Sequence, residues 1–589
     1  MLTRRPQSTL LLLVYIFTFR LLNALLVNTY FQPDEFYQSQ EVAHQLVFGY
    51  GYKTWEWRDA ARIRSPLHPL LLVPVYWVLK VTGWDQTQAL IHAPKVIPAL
   101  LATCIDYCTY RFAANAAGEK VGRATLLCSL ISFANASISV RNFSNTLETA
   151  LTAIAFSLWP FHGFTTRSHV DSHIVIRKSL LLPLCVAALS VIVRPTSIVI
   201  WLHLGIRALH KCSWFQVDEV FIMVFFVGMA TLLTCLTTDS YFYGQVSLTP
   251  FNFLAQNVFN SISLFYGSMP WHYYLSQGLP LLSWAQIPWI YMGLEMVQPP
   301  TVGLKLIMSN LRSCLIRTVF FFSLLAHKEV RFIQPLLPIL HFFAALGHLS
   351  TTAPPKKQSR PFKTIAMPKV RPDSPPERPI MRSSIPAARI IPIALASWLP
   401  AFYLNTLHSN AQVSVLDYLR HLPSGELQSA AFLMPCHSTP WQSHLHRQDL
   451  EEPELGGSGQ AGRLWFLTCE PPISGQDAKR YKDQSDYFYE DPLAYLQTRL
   501  PASVDPYFPP SPLPHNRAMP MSSFDLGWQH EWPSHIVLFD ALLKLSDGAV
   551  DQYIKSKGYQ EVWRRWNSHF QDDTRRNGDV VVLQYKPGP

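Results

Sequence analysis

Apolar runs separated by short polar breaks occupy the first two thirds of the chain, and the remainder turns polar. The runs lie at 9–28, 66–82, 89–113, 122–140, 146–166, 178–209, 219–238, 281–297, 304–325, 331–349 and 388–406. Most approach the roughly 20 residues that an α-helix needs to cross a bilayer core. The first follows Arg4 and Arg5, is longer than a signal-peptide core and lacks a small-residue cleavage site. It therefore predicts an uncleaved membrane helix entered from the cytosol. Its one internal charge, Arg20, either snorkels to the interface or turns into the bundle. The run 178–209 would span roughly 48 Å as one helix, well beyond a core of about 30 Å. Arg194-Pro195 at its middle predicts a break and two short passes. Pro66, Pro69 and Pro74 make 66–82 a luminal or re-entrant helix instead of a crossing.

Charge sets the orientation. Basic residues cluster at Arg111, Lys120 and Arg123, at Arg167, Arg177 and Lys178, and at Arg207 and Lys211. The positive-inside rule puts these turns in the cytosol and the loops 29–88 and 239–280 in the lumen. Parity then predicts about 11 crossings. Residues 351–388 hold Lys356, Lys357, Arg360, Lys363, Lys369, Arg371, Arg378 and Arg382 among many prolines and serines. That composition predicts a basic cytosolic linker with no packed core. The run 389–406 returns the chain to the lumen. Residues 407–589 contain short strand-like segments at 430–435, 464–468, 536–543 and 580–585. The predicted fold is an all-α polytopic membrane region over 1–350 joined to a smaller, mixed α/β luminal domain.

Composition narrows the function classes. With 589 residues and 49% hydrophobic content, the chain is too long and too apolar for one ordinary soluble domain. The net charge of +10 does not point to nucleic acid, because the basic residues sit between apolar segments and in the linker. There is no phosphate loop, nucleophile elbow, His-Glu-x-x-His or dinucleotide fingerprint. The nine cysteines show no metal spacing, and Cys104 and Cys108 read as packing residues. Cys436 and Cys469 stand alone in the polar region, where a luminal location makes a disulfide between them the expectation.

Candidate chemistry concentrates at 31–69, FQPDEFYQSQEVAHQLVFGYGYKTWEWRDAARIRSPLHP. Pro33 disfavours helix at Gln32, so Asp34 and Glu35 open a new helix at a membrane exit. An ionisable pair at a bilayer boundary is a functional-site candidate, although acidic residues also suit any helix N-terminus. Phe36, Gln40, His44 and Phe48 recur at helical spacing and predict a helix lying on the membrane face. The same topology brings to the luminal side Arg64 and His68, then Arg141, Asn145 and Glu148 in RNFSNTLE, and Arg194 at the broken helix. Asp239 and Tyr243 in TDSYFYG join them, with His327, Lys328, Glu329 and Arg331 in HKEVRF. Glu148 pairing with Arg141, Asp239 capping a turn and the last four forming an interfacial charge cluster are the purely structural alternatives.

The run from Phe31 to Trp57 resembles the dolichyl-phosphate-mannose-dependent mannosyltransferases of the GT-C type in the endoplasmic reticulum. Among them it is most similar to the group that adds the third mannose in glycosylphosphatidylinositol (GPI) anchor assembly. RNFSNTLE, TDSYFYG, HKEVRF and the segments MPCHSTPWQSHLH (434–446) and LTCEP (467–471) carry the same resemblance. The resemblance implies a GT-C fold and an inverting transfer of mannose from the lipid-linked donor to the second mannose of a GPI glycolipid, forming an α-1,2 linkage. It places the catalytic base in the acidic motif Asp34-Glu35; of the two, Asp34 is the choice for general base, with Glu35 orienting it or binding sugar hydroxyls. Arg64, Arg194, Lys328 and Arg331 are candidates for the donor phosphate. Gln32, His68, Arg141, Asn145, Glu148, Asp239, Tyr243, His327 and Glu329 are candidates for lining the substrate site. The phosphate already leaves well, so no cofactor or metal is expected. A related mannosyltransferase acting on the fourth GPI mannose or on the lipid-linked oligosaccharide is the nearest alternative. A glycolipid transporter without chemistry is the alternative from another class.

Overall fold

The computed structural model describes residues 6–58, 61–162, 172–210, 214–259, 262–350, 384–451, 461–473, 480–512 and 527–586. Most of the predicted linker (351–383), Arg167, Lys211 and the centres of the loops near 452–460 and 513–520 lie outside them. Among the described residues, five helices are long and apolar enough to cross a membrane. They are Ala89–Ala117, Val217–Tyr243, Val302–Leu324, Val330–Leu349 and Ala387–Arg420. Thr9–Leu25, Val73–Thr82, Ser179–Val193 and Pro195–Leu209 are shorter apolar helices. The chain is a multi-pass membrane protein.

Several apolar runs are interrupted. The helix Glu119–Leu130 stops before a separate short helix, Phe133–Ser137, so 122–140 is not one continuous helix. Ser132 intervenes, and its side chain accepts from the backbone of Asn135, capping the new start. The run 281–297 is a chain of single turns, with Pro280 and Pro288 in the openings of two of them. The predicted break in 178–209 falls where Arg194 becomes extended between Ser172–Val193 and the turn Pro195–Ser197.

Val330–Leu349 is the hub of the bundle, with nearly every residue buried. A Cβ at Gly347 would lie 2.0 Å from the Trp289 carbonyl oxygen, and one at Gly293 would lie 1.9 Å from that of Phe343. Only glycine permits the two backbones to approach so closely. Arg20 turns inward, and its Nε sits 2.6 Å from Asp106 in a fully buried pair. Ser129 also donates to Asp106 at 2.6 Å. In a membrane bundle this paired charge costs less than an unpaired one would.

The C-terminal region carries one five-stranded sheet: β1 (Ala430–Leu433), β2 (Leu464–Phe466), β3 (His535–Phe539), β4 (Tyr559–Trp566) and β5 (Asp579–Tyr585). The order is β2-β1-β3-β5-β4, with β1 parallel to β2 and β3, and β5 antiparallel to β3 and β4. Alternate residues serve opposite faces. Ala431, Leu433, Trp465, Ile536 and Leu538 pack against Phe488, Leu496, Val550 and Ile554 of outer helices. Phe432, Phe466, Val537, Phe539 and Val582 pack against Val415 and Leu419 of the helix Ala411–Arg420. Tyr30, Phe36, Tyr37 and Tyr52 complete that second face. These four come from the first loop, more than 350 positions earlier in the chain.

Candidate active site

The first loop is built as its residues dictate. Pro33 breaks the backbone after the first membrane helix, and its carbonyl accepts from Phe36 and Tyr37, both at 3.0 Å. Asp34 and Glu35 open the turn, a wide turn follows over Phe36–Gln40, and the helix Glu41–Phe48 ends at Gly49 with φ 90°. Much of the predicted stripe is buried in protein: Phe36, Gln40 and His44 are buried, Ala43 packs with Leu72, Tyr76 and Leu79, and His44 and Glu41 meet His446 and Ser443. The wide turn shifts the phase of the helix, so that inside and outside no longer follow from 3.6-residue spacing alone.

The two adjacent carboxylates face different surroundings. Asp34 keeps 27% of its side chain exposed and meets Arg331 Nη2 at 2.6 Å. Glu35 is buried and lies 3.0 Å from Arg141 Nη1. Burial raises the Glu35 pKa, and the Arg141 charge offsets part of that. Arg141 also donates to the carbonyl oxygens of Thr29 and Ser137 at 3.0 Å. The pair therefore ties the loop to the membrane helices. Arg141 does not pair with Glu148 as the sequence allowed. Glu148 instead meets Arg194 Nε at 3.3 Å, because the helix break swings Arg194 toward it.

Around Asp34 the structure gathers an alternating set of charges. Arg331 is forked by Glu329 at 2.6 and 2.9 Å and lies over the Phe143 ring. His327 contacts Glu329 at 3.2 Å, and Asn145 donates to the Arg331 carbonyl at 3.1 Å. Burial would raise the Glu329 carboxyl pKa, but the Arg331 and His327 contacts outweigh it and hold it well below the usual range. Arg64 is near enough to Asp34 and Arg331 to feel both charges, and Arg194 feels Arg64 and Arg331. Arg64 and Arg194 line one small cavity with Ile63, Ser65, Thr249 and Phe253.

The other predicted residues are less central. Lys328 turns away and donates to the carbonyl oxygens of Met269, at 2.9 Å, and Leu325. Asp239 accepts from the Thr249 amide and hydroxyl at 3.0 and 2.7 Å, which pins the turn between them. Tyr243 donates to the Arg64 carbonyl at 2.7 Å and so supports the cavity wall. His68 is buried with no hydrogen-bond partner on either ring nitrogen among the described residues, and burial lowers its pKa to about 4. Gln32 is half-buried, and its carbonyl accepts from the Glu35 amide at 3.3 Å.

Sequence reasoning missed Glu56. It accepts from Arg64 Nε and Nη2 at 3.1 and 2.7 Å and from Gln38 at 3.4 Å. Burial raises its pKa, and the Arg64 charge counteracts this. A carboxylate set between two tryptophans in TWEW was the available signal. Cys436 and Cys469 are joined in a disulfide with Cα atoms 5.7 Å apart. Cys436, His437 and Cys469 form the one His/Cys/Asp/Glu group close enough to hold a metal among the described residues. Both sulfurs are committed to each other there, which leaves that group without a thiolate set.

The arrangement pairs a partly exposed carboxylate with several guanidinium groups on one side of a membrane bundle, which suits proton abstraction beside a phosphate-bearing lipid. The sequence model of the Alg9-like mannosyltransferase family matches residues 11–446. The chain belongs to that family. GPI mannosyltransferase 3 of Yarrowia lipolytica is 35% identical over 97% of this chain and 96% of its own length. GPI alpha-1,2-mannosyltransferase 3 of Danio rerio is 31% identical over 95% of this chain and 87% of its own. The mouse protein of that name is 30% identical over 98% and 90%. Among solved structures, ArnT from Cupriavidus metallidurans matches with a TM-score of 0.51 at 11% identity, covering 99% of both chains. At that identity the likeness concerns the fold, which is of the GT-C type.

Proposed function

We propose that this protein transfers mannose from dolichyl-phosphate-mannose to the second mannose of a GPI precursor, forming an α-1,2 linkage, on the luminal side of the endoplasmic reticulum membrane. The near-full-length similarity to proteins named GPI mannosyltransferase 3 and GPI alpha-1,2-mannosyltransferase 3 supports the substrates. The single structural observation that carries the reading is Asp34, partly exposed at the edge of the Arg331, Arg64 and Arg194 cluster. In a one-step inverting displacement, Asp34 accepts the proton of the acceptor hydroxyl. That oxygen attacks the anomeric carbon from the face opposite the donor phosphate, and the carbon–oxygen bond to phosphate breaks. Dolichyl phosphate departs with the electron pair, and Arg64, Arg194 and Arg331 stabilise its charge. Glu35 supports the turn through Arg141. The step needs no cofactor.

The test is transfer of labelled mannose from dolichyl-phosphate-mannose to a two-mannose GPI acceptor in microsomes carrying wild type or Asp34→Asn. Wild type transfers, and the variant loses about 10²- to 10⁴-fold in rate at normal abundance. Near-wild-type transfer by the variant removes Asp34 as base. Transfer only to a three-mannose or oligosaccharide acceptor reassigns the substrate. Absence of transfer to any of these favours a transporter.

A further inference from the structure

The C-terminal sheet presents the carboxyl ends of the parallel strands β1 and β2 to the first loop. In open α/β sheets that edge is where ligands usually sit. Here the β1 edge leads into Cys436 and a sharp bend at His437 with φ 50°, and the β2 edge leads into Cys469. The disulfide joins the two edges. Three successive carbonyl oxygens beyond the bend are all taken. Tyr30 donates to that of His437, Gln412 to that of Ser438 at 2.5 Å, and Tyr37 to that of Thr439 at 3.0 Å. Gln412 belongs to the domain itself, whereas Tyr30 and Tyr37 flank Asp34 and Glu35 on either side.

The contact continues along the loop. Tyr52 donates to Glu470 at 2.8 Å, and Arg58 meets the same carboxylate at 3.1 Å. Glu41 accepts from the amides of Trp441 and Ser443 at 3.0 and 2.9 Å. His446 bridges His44 at 2.9 Å and Asp85 at 3.0 Å. Tyr30 and Tyr37 are themselves buried in the sheet's inner core. The Tyr37 backbone is one turn from Asp34, because its amide donates to the Pro33 carbonyl, and the Tyr30 amide donates to the Ser409 carbonyl of the segment that enters the domain. A displacement at the carbonyl row would therefore reach the carboxylate through a single rigid turn.

We propose that the C-terminal domain is a working part of the transfer site: Tyr30 and Tyr37 are positioning residues that use its 437–439 carbonyl row to hold Asp34 in place. This rests on the reading of Asp34 as the base. Two hydroxyls bonded to a disulfide-anchored row fix both ends of an eight-residue stretch, residues 30–37. Misplacing a catalytic group by about 1 Å can cost 10²-fold in rate.

The experiment uses full-length Tyr30→Phe/Tyr37→Phe, which keeps both rings in the core and removes the two hydroxyls. The expected result is a kcat about 10- to 100-fold lower per mole of folded enzyme, with the donor KM within about twofold. Amide exchange over 31–40 rises in the same variant. Tyr559→Phe is the control, because Tyr559 donates to the Pro533 carbonyl at 2.5 Å within the domain's other core. It leaves kcat unchanged. Wild-type kcat with unchanged exchange in the double variant overturns the proposal, as does an equal kcat loss in Tyr559→Phe. If the double variant does not accumulate, Tyr37→Phe alone is read by the same criteria. Wild type that transfers no mannose removes the functional reading, and the exchange measurement still decides whether the domain holds the loop.

Discussion

At the residue scale, adjacent carboxylates in one motif have separate fates because their surroundings differ. Glu35 faces the buried Arg141 guanidinium, whereas Asp34 meets Arg331 and stays partly exposed. Glu35→Ala leaves Arg141 charged and unpaired in the interior, which costs about 3–5 kcal/mol. The expected outcome is a clear fall in the thermal midpoint and in membrane abundance, read by fluorescence-detected size exclusion. Asp34→Asn should leave both measures near wild type. Glu41 provides a pH signature. Burial raises its carboxyl pKa from 4.5 to about 7, and one oxygen has no hydrogen-bond partner among the described residues. The folded state therefore holds this proton more tightly than the unfolded one. The stability tied to it is fully present below pH 4.5, is lost as pH rises through 7, and amounts to about 3 kcal/mol. Tyr37, Tyr50 and Tyr76 face Glu41 and are neutral in this range, while Glu451 adds a negative charge nearby. Glu41→Gln should raise the thermal midpoint above pH 7.5 and change it little below pH 5. A constant difference across pH would exclude the buried proton as its cause.

At the element scale, the membrane bundle depends on backbone proximity as well as on apolar burial. The hub helix Val330–Leu349 crosses the 287–296 segment where Gly293 and Gly347 remove the side chains that would separate them. Gly347→Val places carbon atoms inside the Trp289 carbonyl. The expected outcome is loss of folded protein, seen as aggregation on size exclusion in mild detergent. Because the hub also carries Arg331 at its entry, a shifted crossing would move the Arg331–Asp34 pair. Helix packing and site geometry are thus one problem in this region.

At the scale of the whole molecule, the C-terminal domain is incomplete by itself. Tyr30, Phe36, Tyr37 and Tyr52 fill one face of its sheet, and Glu470 and His446 pair with loop residues. Residues 407–589 expressed alone should lack fixed near-ultraviolet circular dichroism and expose apolar surface. A sharp native spectrum from that fragment would show that the loop rests on a finished domain.

Much was legible in the sequence because it depends on local pattern. Apolar runs separate membrane helices from polar loops, since bilayer thickness sets a length and burial sets a composition. Arg194-Pro195 announced a break, since proline lacks the amide that a helix needs and clashes with the preceding turn. The acidic motif and its place after the first helix marked the candidate site. Pairing was not legible. Arg141 had Glu148 seven residues away and took Glu35, 106 positions distant; Asp106 answered Arg20 across 86. Glu56 gained its place by meeting Arg64, and His44 of the helix Glu41–Phe48 met His446 of the C-terminal domain, 402 positions away. By itself the sequence determined the membrane class, the helix break at Arg194-Pro195 and the chemical types of the candidate site. Only the tertiary structure decided which charges meet and which carboxylate stays open, because desolvation and Coulomb energy depend on distances in space, which sequence separation does not encode.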